Sequence, residues 1–210
     1  MKLLMINPNS DHETNRRIEE KMTKSFGGQI DFDCVCIEDA PKMVATKEGE
    51  AASIPAMTKL IREKETEYDG FVIACHADPN LDIMREVTKK PVVGIAEASY
   101  LIAQTKGNSF AVICPGKGSI SRKYAQTRKY YCDALLKKVI VANGDTEADM
   151  LDAARRAAAE DVDVIVLGCA NYTLDDLALE REVGIPVIDG VACAAFIAAG
   201  MASYQKYKEA

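Results

Sequence analysis

Short apolar runs alternate along this chain with longer segments whose apolar positions recur at helical spacing. Residues 3–6, 71–74, 91–95, 110–113, 164–167 and 186–188 are runs of the kind that lie buried on both faces of a parallel sheet. Residues 138–142 read as a further strand, and residues 30–37 alternate apolar and polar positions as a strand does. Between the runs, residues 12–25 place Ile18 and Met22 on one helix face, and residues 51–67 do the same with Ile54, Met57, Leu60 and Ile61. Pro55 then falls within the first turns of that helix, where proline is tolerated. Further helices are predicted over 80–89, 98–105, about 118–135, 146–160 and from 191 onward. Strand and helix in alternation predict an α/β protein built of parallel sheets flanked by helices.

The pattern occurs twice. Phe71-Val72-Ile73-Ala74 leads to Cys75, and Ile165-Val166-Leu167-Gly168 leads to Cys169. Asp69 and Asp163 each stand six residues before the cysteine, and Pro91 and Pro186 follow it at spacings of 16 and 17. Upstream, Pro8 lies two past Ile6 and Pro115 two past Ile113, so the match reaches the first strand of each half. The chain therefore reads as one α/β unit repeated, with a thiol at the same place in each.

Composition narrows the partners. A chain of 210 residues with 48% apolar and 28% charged residues is an ordinary globular protein with a substantial core. A formal charge of −6 argues against nucleic acid and anionic membrane as partners. The apolar stretch of residues 1–6 is too short for a signal peptide, and the longest run, residues 191–202, is too short to span a bilayer. A cytoplasmic location, a small-molecule substrate and a homo-oligomer are expected, with no nucleic acid and no membrane partner. Seven cysteines point to reduced thiols, since an odd number cannot all pair within one chain. With two histidines and no Cys-x-x-Cys, neither a metal site nor another cofactor is expected.

In a parallel sheet, ligands bind outside the carboxyl ends of the strands. Cys75, Cys169, the Asn7-Pro8-Asn9-Ser10 turn and the Cys114 to Ser119 segment all fall at such ends. The plain alternative for each cysteine is a small buried hydrophobe. Two at matching positions favour chemistry, and the chemistry that a thiol pair suits is inversion next to a carbonyl. One face of a carbon acid needs a base and the other an acid. Asn9, Ser10, Ser119 and nearby backbone N–H groups would hold a carboxylate or carbonyl and stabilise enolate-like charge. His76 would tune Cys75 or bind a carboxylate, Asp78 would cap the helix that follows, and His12 is expected at the surface. Gly116-Lys117-Gly118-Ser119 lacks the spacing of a nucleotide phosphate loop.

Five segments in order carry a resemblance: Ile6 to Ser10, Ala74-Cys75, Pro91 to Ala98, Leu167 to Ala170 and Val187 to Val191. Together they resemble the aspartate/glutamate/hydantoin racemase family, most of all its hydantoin and allantoin racemase branch. The resemblance implies two pseudo-symmetric α/β domains with the active site in the cleft between them, expected as residues 1–97 plus 190–210 and residues 98–189. It implies no cofactor, catalytic Cys75 and Cys169, and substrate binding by Asn9, Ser10, His76, Ala77, Cys114, Pro115, Ser119, Ala170 and Asn171. The substrate is expected to be a hydantoin or an amino acid. A decarboxylase or cis-trans isomerase of the same family acting on a small dicarboxylate, and a non-catalytic binder of small anions, stay open at this point.

Overall fold

The computed structural model describes residues 1–172 and 176–209. Its contacts divide the chain into two units, Met1–Ile95 with Ala194–Ala210, and Ala96–Cys193.

In the first unit, β1 (Lys2–Asn7), α1 (His12–Phe26), β2 (Asp31–Cys36), α2 (Lys47–Lys64), β3 (Gly70–Ile73), α3 (Leu81–Val87) and β4 (Val92–Gly94) follow one another. The strands pair in parallel in the order β2-β1-β3-β4. One sheet face is covered by α2 and α3, where Leu4, Ile6, Phe71 and Ile73 pack with Met57, Ile61, Leu81 and Met84. Leu3, Met5 and Val72 point to the other face and are equally buried. Burial of both faces is why these strands read as unbroken apolar runs. Ile18, Met22 and Phe26 are the buried stripe of α1, and the Phe26 ring meets Phe196 of α8 (Gly190–Glu209) at 4.5 Å between centroids.

In the second unit, α4 (Ile95–Lys106), which begins at the end of the first unit, leads into β5 (Phe110–Cys114), α5 (Ile120–Lys129), β6 (Leu136–Val141), α6 (Glu147–Ala158), β7 (Val164–Leu167), α7 (Asp176–Val183) and β8 (Val187–Asp189). The order β6-β5-β7-β8 repeats that of the first sheet, again parallel. Ala111, Ile113, Ile165 and Leu167 pack with Met150, Ala153 and Leu179 on one face, and Phe110, Val112, Val164 and Val166 pack with Tyr100 on the other.

The repetition extends to single hydrogen bonds. Ala74 N–H donates to the Ile6 carbonyl at 2.8 Å, and Gly168 N–H to the Ile113 carbonyl at 2.7 Å. Phe71 donates to Pro91 at 2.8 Å and Ile165 to Pro186 at 2.9 Å. Ile37 donates to Asn7 at 3.2 Å and Ala142 to Cys114 at 2.9 Å. Asp69 accepts from the Lys2 N–H at 2.8 Å, while Asp163 accepts from Asn108 and Ser109 at 2.7 and 3.0 Å. In each unit an aspartate thus fastens the chain at the start of its first strand.

Several element boundaries depart from the sequence reading, that of α4 among them, which begins at Ile95 and not near residue 98. Helix α2 begins at Lys47, not near residue 51, because the Thr46 side chain accepts from Gly49 N–H at 3.1 Å and Glu48 and Glu50 favour a helix start. Pro55 is therefore inside the helix. The helix expected to reach Leu135 ends at Lys129, where Tyr131 adopts a left-handed φ of 55° and a short 3-10 turn, Asp133–Leu135, leads into β6. Among the described residues, no helix is long and apolar enough to cross a membrane.

Candidate active site

Each sheet has one point where chain order reverses, between β1 and β3 in the first and between β5 and β7 in the second. Loops leaving the carboxyl ends of such strands diverge to opposite sides and leave a crevice for ligand. Asn9 and Ser10 follow β1, and Cys75, His76 and Ala77 follow β3. Cys114, Pro115 and Ser119 follow β5 or close it, and Cys169, Ala170 and Asn171 follow β7. All of the residues expected to act thus lie at these two reversal points, each set within its own unit.

In the first unit the loop after β1 is held by its own polar groups. Buried Asn7 donates through Nδ2 to the Asp11 carbonyl at 3.1 Å, Asn9 Oδ1 accepts from Asp11 N–H at 2.9 Å, and Ser10 N–H donates to Pro41 at 3.3 Å. Cys75 and Ala77 are half-buried and His76 is buried. The turn after Cys75 closes through Asp78 N–H to the Cys75 carbonyl at 2.9 Å, with Asp78 and Asn80 both at positive φ. Asn80 is secured there by donation from Nδ2 to the Glu50 carbonyl at 2.7 Å and to Ser53 Oγ at 3.1 Å. Asp78 stands two residues before the cap position of α3. Asn80 stands at that cap position, and the Asp78 carboxyl lies over Gly94, where a Cβ would come within 2.4 Å of it.

In the second unit Cys169 is half-buried, and Asn171 N–H donates to its sulfur at 3.5 Å, a donor complementary to negative charge. Cys114 is fully buried, with its thiol 3.5 Å from the Gly116 carbonyl, so it faces the protein interior. Burial pushes its thiol up; the Gly116 backbone and the nearby Lys123 ammonium pull it down, and charge on Cys169 raises it. Tyr172 is buried, and burial first, then charge on Cys169 and Cys114, pushes its phenol up. Its hydroxyl has no hydrogen-bond partner among the described residues. Ala170 is buried, Pro115 exposed and Ser119 half-buried. None of the seven cysteines is in a disulfide.

Sequence reading missed Lys123. Helix α5 turns Lys123, Gln126 and Thr127 inward, so the face that should be apolar is polar. Lys123 is 2% exposed, and its Cε lies 3.1 Å from where a Cβ on Gly168 would stand, one residue before Cys169. The signal was available: residues 120–129 carry too few apolar side chains to form a buried stripe.

The family described as Asp/Glu/hydantoin racemase matches residues 3–198. A hydantoin racemase from Pseudomonas sp. (strain NS671) is 34% identical over 203 residues, covering 91% of this chain and 82% of that protein. A hydantoin racemase from Rhizobium meliloti is 32% identical over 206 residues, covering 92% and 86%. Among solved structures, allantoin racemase from Klebsiella pneumoniae superposes with a TM-score of 0.90 at 23% identity, covering 98% of this chain and 89% of that one, and so shares the fold. With the match spanning both repeated units, the chain belongs to the aspartate/glutamate/hydantoin racemase family and is an enzyme of the isomerase class.

Proposed function

We propose that the protein inverts the carbon next to a carbonyl in a hydantoin-type substrate, without a cofactor, by proton transfer to and from Cys75 and Cys169. The observation that carries this reading is the equivalence of the two thiols: each follows the strand at the reversal point of its sheet, one residue past a matching backbone hydrogen bond. The hydantoin racemase relatives favour a cyclic ureide over an acidic amino acid as substrate.

A thiolate at one cysteine takes the α-proton, and the electron pair passes into the carbonyl to give an enolate. The thiol of the other cysteine returns a proton to the opposite face. The product is the mirror image, and the two sulfurs have exchanged protonation states. Asn171 N–H beside Cys169 and the Lys123 ammonium oppose the negative charge that develops. Asn9, Ser10 and Ser119 at the strand ends hold the substrate's carbonyl or carboxylate groups.

The test is exchange in deuterated buffer, followed by proton NMR at the α-carbon and by optical rotation, with substituted hydantoins, allantoin and acidic amino acids. Hydantoins are expected to exchange and racemise. Cys75→Ala and Cys169→Ala are each expected to lower racemisation by about 10²- to 10⁴-fold. Undiminished racemisation in both variants would refute the two-thiol mechanism, and exchange confined to an amino acid would refute the substrate class.

A further inference from the structure

Beyond this activity, a group of side chains in the first unit has no part in the proposed reaction. His12 opens α1, Cys36 closes β2, and Glu38 lies two residues further on. The Cys36 sulfur is 3.3 Å from His12 Nδ1, His12 Nε2 is 3.3 Å from Glu38 Oε2, and the Cys36 sulfur is 3.9 Å from Glu38 Oε1. One ligand atom from each residue can be chosen such that all three lie within 4.8 Å of one another.

The backbones bearing these side chains are tied together. β1 and β2 pair in register up to Asn7 opposite Cys36. Ile37 N–H, next to Cys36, donates to both Asn7 and Asn9 carbonyls at 3.2 and 3.0 Å, which fastens the end of β2 to the loop leading into α1. Asn15 Nδ2, one turn along α1 from His12, donates to the Cys34 carbonyl at 3.3 Å. Asp11, at the helix cap position, accepts from Thr14 Oγ1 at 2.6 Å. The three ligands thus sit on a braced frame, while the His12 and Glu38 side chains, 71% and 67% exposed, have room to close.

We propose that His12, Cys36 and Glu38 form a binding site for a divalent ion of the zinc class. Imidazole nitrogen, thiolate sulfur and carboxylate oxygen together are a donor set suited to zinc, and three protein ligands leave a fourth position for water. Bonds of about 2.0 to 2.3 Å to a tetrahedral ion bring ligand atoms to roughly 3.3 to 3.7 Å from one another. For either ring nitrogen one present separation already has that size, from Nδ1 to the Cys36 sulfur or from Nε2 to Glu38. His12 offers one of its nitrogens to the ion, and rotation of the exposed Glu38 side chain brings in its oxygen. Coordination displaces the Cys36 thiol proton to solvent, so one proton leaves as the sulfur–metal bond forms. The sequence, with two histidines and no Cys-x-x-Cys, argued against a metal site, and His12 and Cys36 lie 24 residues apart in it. The parallel pairing of β1 and β2 brings them together.

Cobalt(II) tests this directly, because thiolate ligation gives an intense sulfur-to-cobalt charge-transfer band. The titration is run in the Cys75→Ala/Cys169→Ala protein, which removes the two half-exposed thiols of the proposed active site. One equivalent of cobalt is expected to give the charge-transfer band with tetrahedral visible bands, and zinc is expected to displace it. Cys36→Ser should abolish the charge-transfer band, and His12→Ala and Glu38→Gln should each weaken binding at least tenfold, with circular dichroism unchanged. Failure of both cobalt and zinc to bind would overturn the site, as would a band that survives Cys36→Ser. Because the readout is spectroscopic, neither result depends on the racemase reading.

Discussion

Gly168 N–H donates to the Ile113 carbonyl at 2.7 Å, and a Cβ on Gly168 would stand 2.5 Å from that same oxygen. Strand β7 and the end of β5 approach so closely here that only a hydrogen fits. Gly168→Ala must therefore move backbone just before Cys169. We expect a loss of about 1 to 3 kcal/mol in stability and a fall of at least tenfold in kcat. Gly118→Ala, where a Cβ meets nothing within 4 Å, should leave stability nearly unchanged. Urea unfolding and steady-state kinetics of the two variants check the contrast.

Lys123 occupies a buried position beside Cys114 and Gly168, on a helix face that carries no apolar stripe. Methionine keeps most of its volume and removes its charge. Lys123→Met is expected to lower stability, since removing one member of a buried charged contact leaves the other unmatched. Its kcat/KM should fall roughly 100-fold, the scale of losing one electrostatic stabiliser of a transition state. Urea unfolding and kinetics on the same preparation separate this from a purely structural role, in which catalysis by the folded fraction would persist.

Tyr172 carries a buried hydroxyl with no hydrogen-bond partner among the described residues. Burying an unmatched hydroxyl costs about 1 to 3 kcal/mol. Tyr172→Phe is expected to raise stability by about 1 kcal/mol and, because the phenol lies near Cys169 and Cys114, to lower racemase activity. A thermal melt paired with an activity assay gives both signs at once.

Asp69 and Asp33 set an acid limit on stability. The Lys206 ammonium, 2.7 Å away, and the Lys2 N–H hold the Asp69 carboxyl below its ordinary value. Lys2 and the Tyr68 hydroxyl do the same for Asp33. A carboxylate depressed in the folded state stabilises fully above its unfolded value of about 3.9, and that contribution is lost as pH falls through the folded value. Stability should decline as pH drops below about 4, and Asp33→Asn/Asp69→Asn should flatten the decline. Urea midpoints measured across that window check it.

The sequence by itself determined the α/β alternation, the doubled unit and the positions of both thiols. Parallel strands buried on two faces must be apolar throughout, so 71–74 and 164–167 announce themselves without any long-range information. Local chemistry blurred the helix ends. Thr46 caps α2 earlier than its apolar stripe begins, and a left-handed Tyr131, a residue seldom found at positive φ, stops the helical stretch short of Leu135. Only the tertiary structure decided what depends on pairing between distant segments: the reversal points that gather Asn9 with Cys75 and Cys114 with Cys169, the inward turn of Lys123, and the meeting of His12 with Cys36. Periodicity records which face of an element is buried. It does not record which polar group from elsewhere in the chain is waiting on that face, because that contact is fixed by sheet order and register.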